Sequence, residues 1–208
     1  MSEPREQATK LDRLPSGILH WSVHDDRIDA RSDAYAVPTP HGAVLVDPLP
    51  LAPKALADLG DVSAICLTIQ SHQRSAWRLR DQLQVPVHAP RGAEGLEAEP
   101  DVWYEDGARL PGDLLAVHAP GPCEASYALL LDADGGTLFV GDLLIRSAQD
   151  GPLGFVPDEY QDAPERSRES VRRLLELCFE QVCPGHGAPI SSRGRDALAG
   201  ALGRDGAL

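Results

Sequence analysis

The sequence predicts an α+β fold with four layers, in which two β-sheets pack face to face and helices cover both outer faces. Strand-like segments joined by turns fill the chain up to residue 46 and recur between residues 102 and 140. Helical patterns follow each of these two strand-rich halves. Because a sheet must bury an apolar face against another layer, two such halves predict an αββα sandwich.

In the first half, a meander of strands precedes two helix and strand pairs. Gly60 ends a short helix that starts near Pro53. The almost continuous apolar run over 62–67 is typical of a strand buried on both faces. The elements expected here are three strands, a helix, a buried strand, a helix and a strand, over 18–23, 34–37, 42–46, 53–59, 62–67, 76–83 and 85–88.

In the second half, turn signals divide another meander, and a loop without periodicity over 151–161 precedes a helix. Pro164 lies in the first turn of that helix, and Val171 and Leu174 share one of its faces. The remaining elements are expected at 126–131, 137–140, 179–183 and 193–202. We expect a single domain over residues 1–208, with 1–16 as a flexible N-terminal segment.

The charge of the chain excludes some partners. It carries 32 acidic and 19 basic side chains, for a formal net charge of -13, which would repel a nucleic-acid backbone or an anionic membrane surface. The polar N-terminus lacks a secretory signal, and no apolar run is long enough for a membrane span, so we expect a soluble, cytoplasmic protein. A small-molecule ligand remains, and it could be anionic if Arg74, Arg78 and Arg80 form a local basic pocket instead of a solvated helix face.

Five short motifs follow one another along the chain: Val44-Leu45-Val46-Asp47, Leu67-Thr68, His118-Ala119-Pro120-Gly121, Phe139-Val140-Gly141-Asp142-Leu143-Leu144 and Pro184-Gly185-His186-Gly187. In this order and at these distances they resemble the metallo-β-lactamase superfamily over roughly residues 17 to 190. Members of that family hold one or two metal ions, usually zinc, with imidazoles and carboxylates. The ions lower the pKa of a bound water, which attacks an ester, thioester, amide or phosphoester. The resemblance therefore implies the αββα fold and a hydrolase-like protein.

The metal-binding motif departs from that family. With Thr68 aligned, the usual ligand positions of the HxHxDH loop and of the following proline-glycine turn hold residues that are poor ligands or cannot bind a metal: Ile69, Ser71, Gln73, Arg74 and Pro122. Of the usual ligands only Asp142 and His186 remain. We therefore expect no two-metal centre.

One hypothesis is a site for a single divalent ion, either zinc, iron or manganese. His72 would be recruited if one residue is inserted after Thr68, and Glu124 follows the proline-glycine turn closely enough to be a fourth ligand. His186, Asp142, His72 and Glu124 would then supply nitrogen and oxygen donors. The protein would be a divergent hydrolase with Asp142 and Arg74 in its catalytic site.

The other hypothesis is a pseudoenzyme or binding protein for a small anion, with no metal. Arg74 would take the place of the cation and pair with Asp142 and Glu124, since a buried carboxylate needs a compensating charge. Alternatively, Arg74 begins an exposed helix together with Arg78. The sequence leaves these hypotheses open.

Overall fold

The described residues form two β-sheets that pack face to face. The computed structural model describes residues 3–147 and 151–206, and these contain twelve β-strands and four α-helices. The first sheet contains, in spatial order, β1 (Asp12–Arg13), β2 (Leu19–Asp25), β3 (Ala30–Val37), β4 (Ala43–Val46), β5 (Val62–Cys66), β6 (Val87–Pro90) and β7 (Val102–Tyr104). Its strands are antiparallel from β1 to β4 and parallel from β4 to β7.

The second sheet has five strands in the order β12-β11-β10-β9-β8. They are β8 (Arg109–Leu110), β9 (Leu114–His118), β10 (Tyr127–Leu131), β11 (Thr137–Gly141) and β12 (Gln181–Pro184). Neighbours are antiparallel except for β11 and β12, which are parallel. The carboxyl ends of β11 and β12 therefore lie side by side, as do those of β4 and β5.

Four helices cover the outer faces. They are α1 (Pro53–Asp58), α2 (Ala76–Leu83), α3 (Pro164–Leu174) and α4 (Gly194–Arg204). One apolar cluster joins α1 and α2 to the first sheet, and another joins α3 and α4 to the second sheet. A third cluster lies between the sheets and includes Tyr35, Val46, Leu129 and Phe139. This layering confirms the predicted four-layer αββα class.

The N-terminal segment differs from its prediction. Residues 1–16 were expected to be flexible, but over the described part of this segment the chain packs against the domain. Ala8 is buried and forms a parallel bridge with Leu51, and Asp12–Arg13 pairs with β2. The carboxylate of Glu3 accepts hydrogen bonds from Arg78 and from Ser75. The backbone pairings of Ala8 and of Asp12–Arg13 do not depend on a pattern of apolar side chains, so the polar sequence of this segment gave no sign of them.

The helices were compared with the length and composition that a membrane span requires. Within residues 3–147 and 151–206, no helix combines the length and the apolar character that crossing a bilayer requires.

Candidate metal centre

The candidate centre forms where several strands end. Asp47 follows β4, Thr68 lies two residues beyond β5, Asp142 follows β11, and His186 lies two residues beyond β12. His72 lies in a short 3₁₀ turn, Gln70–Gln73, that continues from β5. The paired parallel strands bring these ends to one edge of the sandwich, so residues far apart in sequence become neighbours.

Three side chains meet at this edge. The atom Oδ1 of Asp142 lies 2.8 Å from Nε2 of His72 and 3.2 Å from Nε2 of His186. One ligand atom from each of the three residues lies within 4.8 Å of the other two. Asp142 and His186 therefore lie together as expected, and His72 joins them from the position of the proposed one-residue insertion. Their role as ligands stays a prediction.

The orientation of His72 is set by Asp47. Nδ1 of His72 lies 2.8 Å from Oδ2 of Asp47, whose carboxylate also accepts hydrogen bonds from the amide and hydroxyl of Thr68 at 2.8 Å and 2.5 Å. Both ring nitrogens of His72 face a carboxylate, so a His72 that gives its Nε2 lone pair to a metal would carry its proton on Nδ1 and donate it to Asp47. Nε2 then presents its lone pair to Asp142, as in the carboxylate-histidine pairs that support metal ligands.

His186 is oriented in the same way by a backbone carbonyl. Its Nδ1 lies 2.9 Å from the carbonyl oxygen of Arg31 and 3.3 Å from the hydroxyl of Ser32. Since a carbonyl can only accept, Nδ1 of His186 carries the proton. The other nitrogen, Nε2, is left with a lone pair that faces Oδ1 of Asp142.

Nε2 of His72, Nε2 of His186 and Oδ1 of Asp142 form an arrangement that suits a bound cation. With both imidazoles neutral, two nitrogen lone pairs and a carboxylate oxygen face one another, which is an unfavourable arrangement without a positive charge between them. Nε2 of His72 and Oδ1 of Asp142 are buried, and among the described residues neither has a hydrogen bond of acceptable geometry despite their short separation. Two imidazoles and one carboxylate form a donor set that suits zinc, iron or manganese.

Without a metal, a proton on His72 can supply the positive charge. Burial and the nearby charge of Arg74 lower the pKa of His72, but Asp142 and Asp47 raise it more, so its pKa lies above the ordinary value. Burial raises the pKa of Asp142, but His72 and His186 outweigh this effect and hold that pKa well below its usual range. Without a metal, Asp142 is therefore the ionised partner of a protonated His72.

The loop that carries His186 is supported by Asp33, a residue that sequence reasoning missed. Oδ2 of Asp33 accepts the amide of Gly187 at 2.7 Å, and Oδ1 lies 2.7 Å from Nε2 of His20. Arg31 also donates to this carboxylate. Burial raises the pKa of Asp33, but the hydrogen bonds of His20 and Arg31 outweigh this effect and hold that pKa below its ordinary value. The sequence signal was weak, because Asp33 follows the polar residues Arg31 and Ser32 at the start of the apolar stretch over 34–37.

The burial of Arg74 excludes one of the two alternatives that the sequence left open for it. The residue is only 2% exposed and precedes α2, so it does not begin an exposed helix. Nη1 donates to the carbonyl oxygens of Asp33 and Asp47 at 2.8 Å and 3.3 Å, and Nη2 donates to that of Gly185 at 3.2 Å. These bonds join Arg74 to three backbone segments.

The charge of Arg74 still matters for the neighbouring acids. Burial lowers the pKa of Arg74, while four nearby carboxylates counteract this effect: Asp47, Asp142, Asp25 and Asp33. Arg74 therefore acts on Asp142 through its charge and, through its hydrogen bonds, ties β3 and β4 to the loop of His186.

Glu124 does not join the cluster. Its carboxylate pairs with the guanidinium of Arg166, and its side chain is 70% exposed. The prediction that Glu124 is a fourth ligand is therefore wrong in this structure. The nearby Arg166, at the start of α3, offers a partner at the surface that needs no desolvation.

Another family ligand position has a structural role. The side-chain oxygen of Gln73 accepts hydrogen bonds from the indole of Trp77 and the amide of Glu97, at 2.7 Å each. Gln73 thus holds α2 against the loop over 91–99. Its amide is committed to packing and lies outside the cluster of His72, Asp142 and His186.

A cavity of about 810 Å³ opens beside the cluster. Asp142 and His186 line it, together with Ser71, whose hydroxyl donates to Oδ2 of Asp142 at 3.1 Å. Most of the other lining residues are apolar, and they include Ile69 and Ile145. A small molecule that enters this cavity reaches two of the three candidate ligands directly.

Comparisons with known proteins agree with this architecture. A metallo-β-lactamase family protein from Thermus thermophilus is 19% identical, with a TM-score of 0.69 over 92% of this chain and 80% of that chain. A metallo-β-lactamase superfamily protein from Sulfolobus tokodaii is 18% identical, with a TM-score of 0.70 over 94% and 86%. The metallo-β-lactamase TMB-1 is 13% identical, with a TM-score of 0.73 over 97% and 99%. At these identities the similarity shows the fold alone.

Family membership rests on the sequence itself. A comparison with curated protein sequences found no significant match. The model of the metallo-β-lactamase superfamily, however, matches residues 11–202, which is most of the chain. Together with the two-sheet architecture, this match confirms the resemblance carried by the five motifs. The chain therefore belongs to the metallo-β-lactamase superfamily.

Proposed function

We propose that the protein is a hydrolase that depends on a single divalent metal ion, with His72, Asp142 and His186 as ligands. The observation that carries the proposal is the convergence of two imidazole lone pairs and a carboxylate oxygen within 4.8 Å. Three protein ligands leave a coordination position open, which is the pattern of catalytic sites, whereas structural sites are closed. The cavity beside Asp142 and His186 gives a substrate access to that position.

The substrates we propose are small esters, thioesters or phosphoesters. An ion held at this site would polarise the carbonyl or phosphoryl group and lower the pKa of a water molecule. The protein residues bind and orient that ion. Asp47 and the Arg31 carbonyl fix the imidazoles of His72 and His186, and Ser71 holds the second oxygen of Asp142.

Asp142 is assigned to binding and not to proton transfer. Its pKa is held well below the usual range, because the nearby imidazoles outweigh the effect of burial. A carboxylate with such a low pKa is a weak base near neutral pH. Arg74 is likewise assigned to the scaffold, since it donates hydrogen bonds to backbone carbonyls and does not line the cavity.

The test is metal analysis of protein purified without chelator, followed by assays with zinc, manganese or iron. We expect one ion per chain in the parent and a large loss of bound metal in His186→Ala. His41→Ala is the matched control, because His41 is exposed in a turn. Hydrolysis of p-nitrophenyl acetate, an acyl thioester or bis-p-nitrophenyl phosphate should require the ion. Metal content that does not respond to His186→Ala would overturn the proposal.

A second candidate is a binding protein without metal, in which protonated His72 compensates Asp142. The raised pKa of His72 favours it, since Asp142 and Asp47 overcome the effects of burial and Arg74. In this candidate function, a small anionic or neutral ligand binds in the same cavity. Absence of bound metal after growth with added zinc, manganese and iron, together with unchanged stability in chelator, would favour it over the hydrolase.

A further inference from the structure

Exposed apolar side chains mark the mouth of the cavity. Within the described part of the chain, three large apolar residues are exposed: Ile28 by 54%, Val102 by 40% and Tyr160 by 74%. Ile28 and Tyr160 both line the cavity beside the candidate metal centre, whereas Val102 does not. Folding leaves these two side chains in water, where apolar surface is unfavourable.

Ile28 and Tyr160 come from separate parts of the chain. Ile28 lies in the turn between β2 and β3, and Tyr160 ends the 3₁₀ turn Asp158–Tyr160. The apolar lining continues inward with Ile69, Ile145 and Val156, and the cavity wall also contains Asp142 and His186. One continuous space therefore connects the exposed apolar residues to the candidate centre.

The charged side chains that line this cavity do not by themselves select an anion. Among the described residues that line it, Arg31 and Arg146 are matched by Asp142 and Asp162. Arg31 also donates to the carboxylate of Asp33, which compensates its charge. Burial of apolar surface is then the main contribution that the cavity offers to a ligand.

We infer that the substrate carries an apolar group, an alkyl chain or an aromatic ring, beside its reacting ester, thioester or phosphoester group, and that Ile28 and Tyr160 bind this group. The nature of the reacting group rests on the proposed function. Binding of the apolar group does not, because neither Ile28 nor Tyr160 belongs to the candidate ligand set. The two parts can therefore be tested separately.

The first test uses the neutral apolar fluorophore N-phenyl-1-naphthylamine with the full-length protein after chelator treatment. We expect one saturable site, with affinity lowered about fivefold in Ile28→Ser and Tyr160→Ser, since each removes apolar contact area. Val102→Ser is the matched control and should bind as the parent does, because Val102 is an exposed apolar residue away from the cavity. Equal affinity in all four proteins would overturn the inference.

The second test uses the metal-loaded protein with p-nitrophenyl acetate, butyrate and hexanoate. We expect kcat/KM to rise about twofold to fourfold per added methylene, the gain for partial to full burial of that group. The rise should flatten in Ile28→Ser and Tyr160→Ser but not in Val102→Ser. Hydrolysis with no dependence on chain length would overturn the inference and leave the proposed function standing. If the fluorophore binds saturably and the two cavity variants weaken its binding, but no ester is hydrolysed, the apolar site would stand and the proposed function would fail.

Discussion

The Nδ1 atom of His72 lies 2.8 Å from Oδ2 of Asp47, on the side of the ring away from Asp142. This contact decides which nitrogen of His72 faces the candidate centre. Asp47 is itself held by the amide and hydroxyl of Thr68. The orientation of a ligand at the centre thus depends on a carboxylate that does not belong to the cluster.

Asp47→Asn should weaken metal binding without removing a ligand. The amide is a weaker acceptor than the carboxylate, so His72 loses its preference for the Nδ1 proton. Loss of such a supporting contact lowers metal affinity by about 10-fold to 100-fold. The measurement is a competition titration with a chromophoric zinc chelator. Asp132→Asn, at an exposed turn position, is the control and should bind zinc as the parent does.

Gly185→Ala should disturb the centre through packing. A Cβ at residue 185 would lie well under 3.0 Å from Cε1 of His72, so the imidazole or the loop must move. We expect a loss of about 1–3 kcal/mol in the free energy of unfolding, as for overpacked interiors, together with weaker metal binding. Gly154→Ala is the matched control, because a Cβ there meets nothing within 4 Å. Urea unfolding and zinc titration of both variants check this prediction, and equal behaviour would contradict it.

Arg74→Met should destabilise the fold strongly. The change removes a buried cation and leaves the carbonyl oxygens of Asp33, Asp47 and Gly185 without these donors. We expect a loss of about 3–5 kcal/mol in urea unfolding. Arg74→Lys should recover only part of it, because an ammonium group cannot reproduce the planar fork. Arg78→Met, which breaks an exposed pair with Glu3, should cost no more than about 1 kcal/mol.

In the metal-free protein, the contribution of the pair of His72 and Asp142 to stability should be largest in mildly acidic solution. The raised pKa of His72 means that its contribution is complete below the unfolded value, about 6.5, and is lost as pH rises through the folded value. The lowered pKa of Asp142 means that its contribution is complete above the unfolded value, about 3.9, and is lost as pH falls through the folded one.

The variant that tests this pH dependence is His72→Gln. The difference in unfolding free energy between parent and variant should be largest between about pH 4 and 6.5 and should shrink on both sides. Urea unfolding in chelator across this range measures it. His41→Gln, with an exposed imidazole, should show a small and flat difference. A difference that stays constant with pH for His72→Gln would contradict the ion pair between His72 and Asp142.

Much of the fold could be predicted from the sequence, because its signals are local. The apolar run that became β5 and the periodicity that became α3 reflect burial of one or two faces, which the chain shows directly. The N-terminal segment could not be predicted in this way. Its attachment depends on a backbone bridge between Ala8 and Leu51, which leaves no mark on side-chain pattern.

The candidate site was less predictable, since its residues come from strand ends that meet only in three dimensions. Asp142 and His186 could be found because they lie in motifs of the family. His72 could be named only on the assumption of an inserted residue, and its approach to Asp142 depends on the path of the 3₁₀ turn. Glu124 has a suitable side chain at a plausible distance along the chain, but Arg166 binds it at the surface. The position of Glu124 along the chain did not indicate where its side chain points.

The three carbonyl bonds of Arg74 also bear on what a chelator can remove from this centre. An exchangeable ion can be removed by a chelator, whereas a guanidinium is a permanent part of the chain. Here that permanent charge ties together β3, the end of β4 and the loop of His186. A chelator therefore leaves this cation, and the three segments that it joins, in place. The loop of His186 should therefore keep its place after a metal is lost, because the charge that ties it to β3 and β4 cannot dissociate.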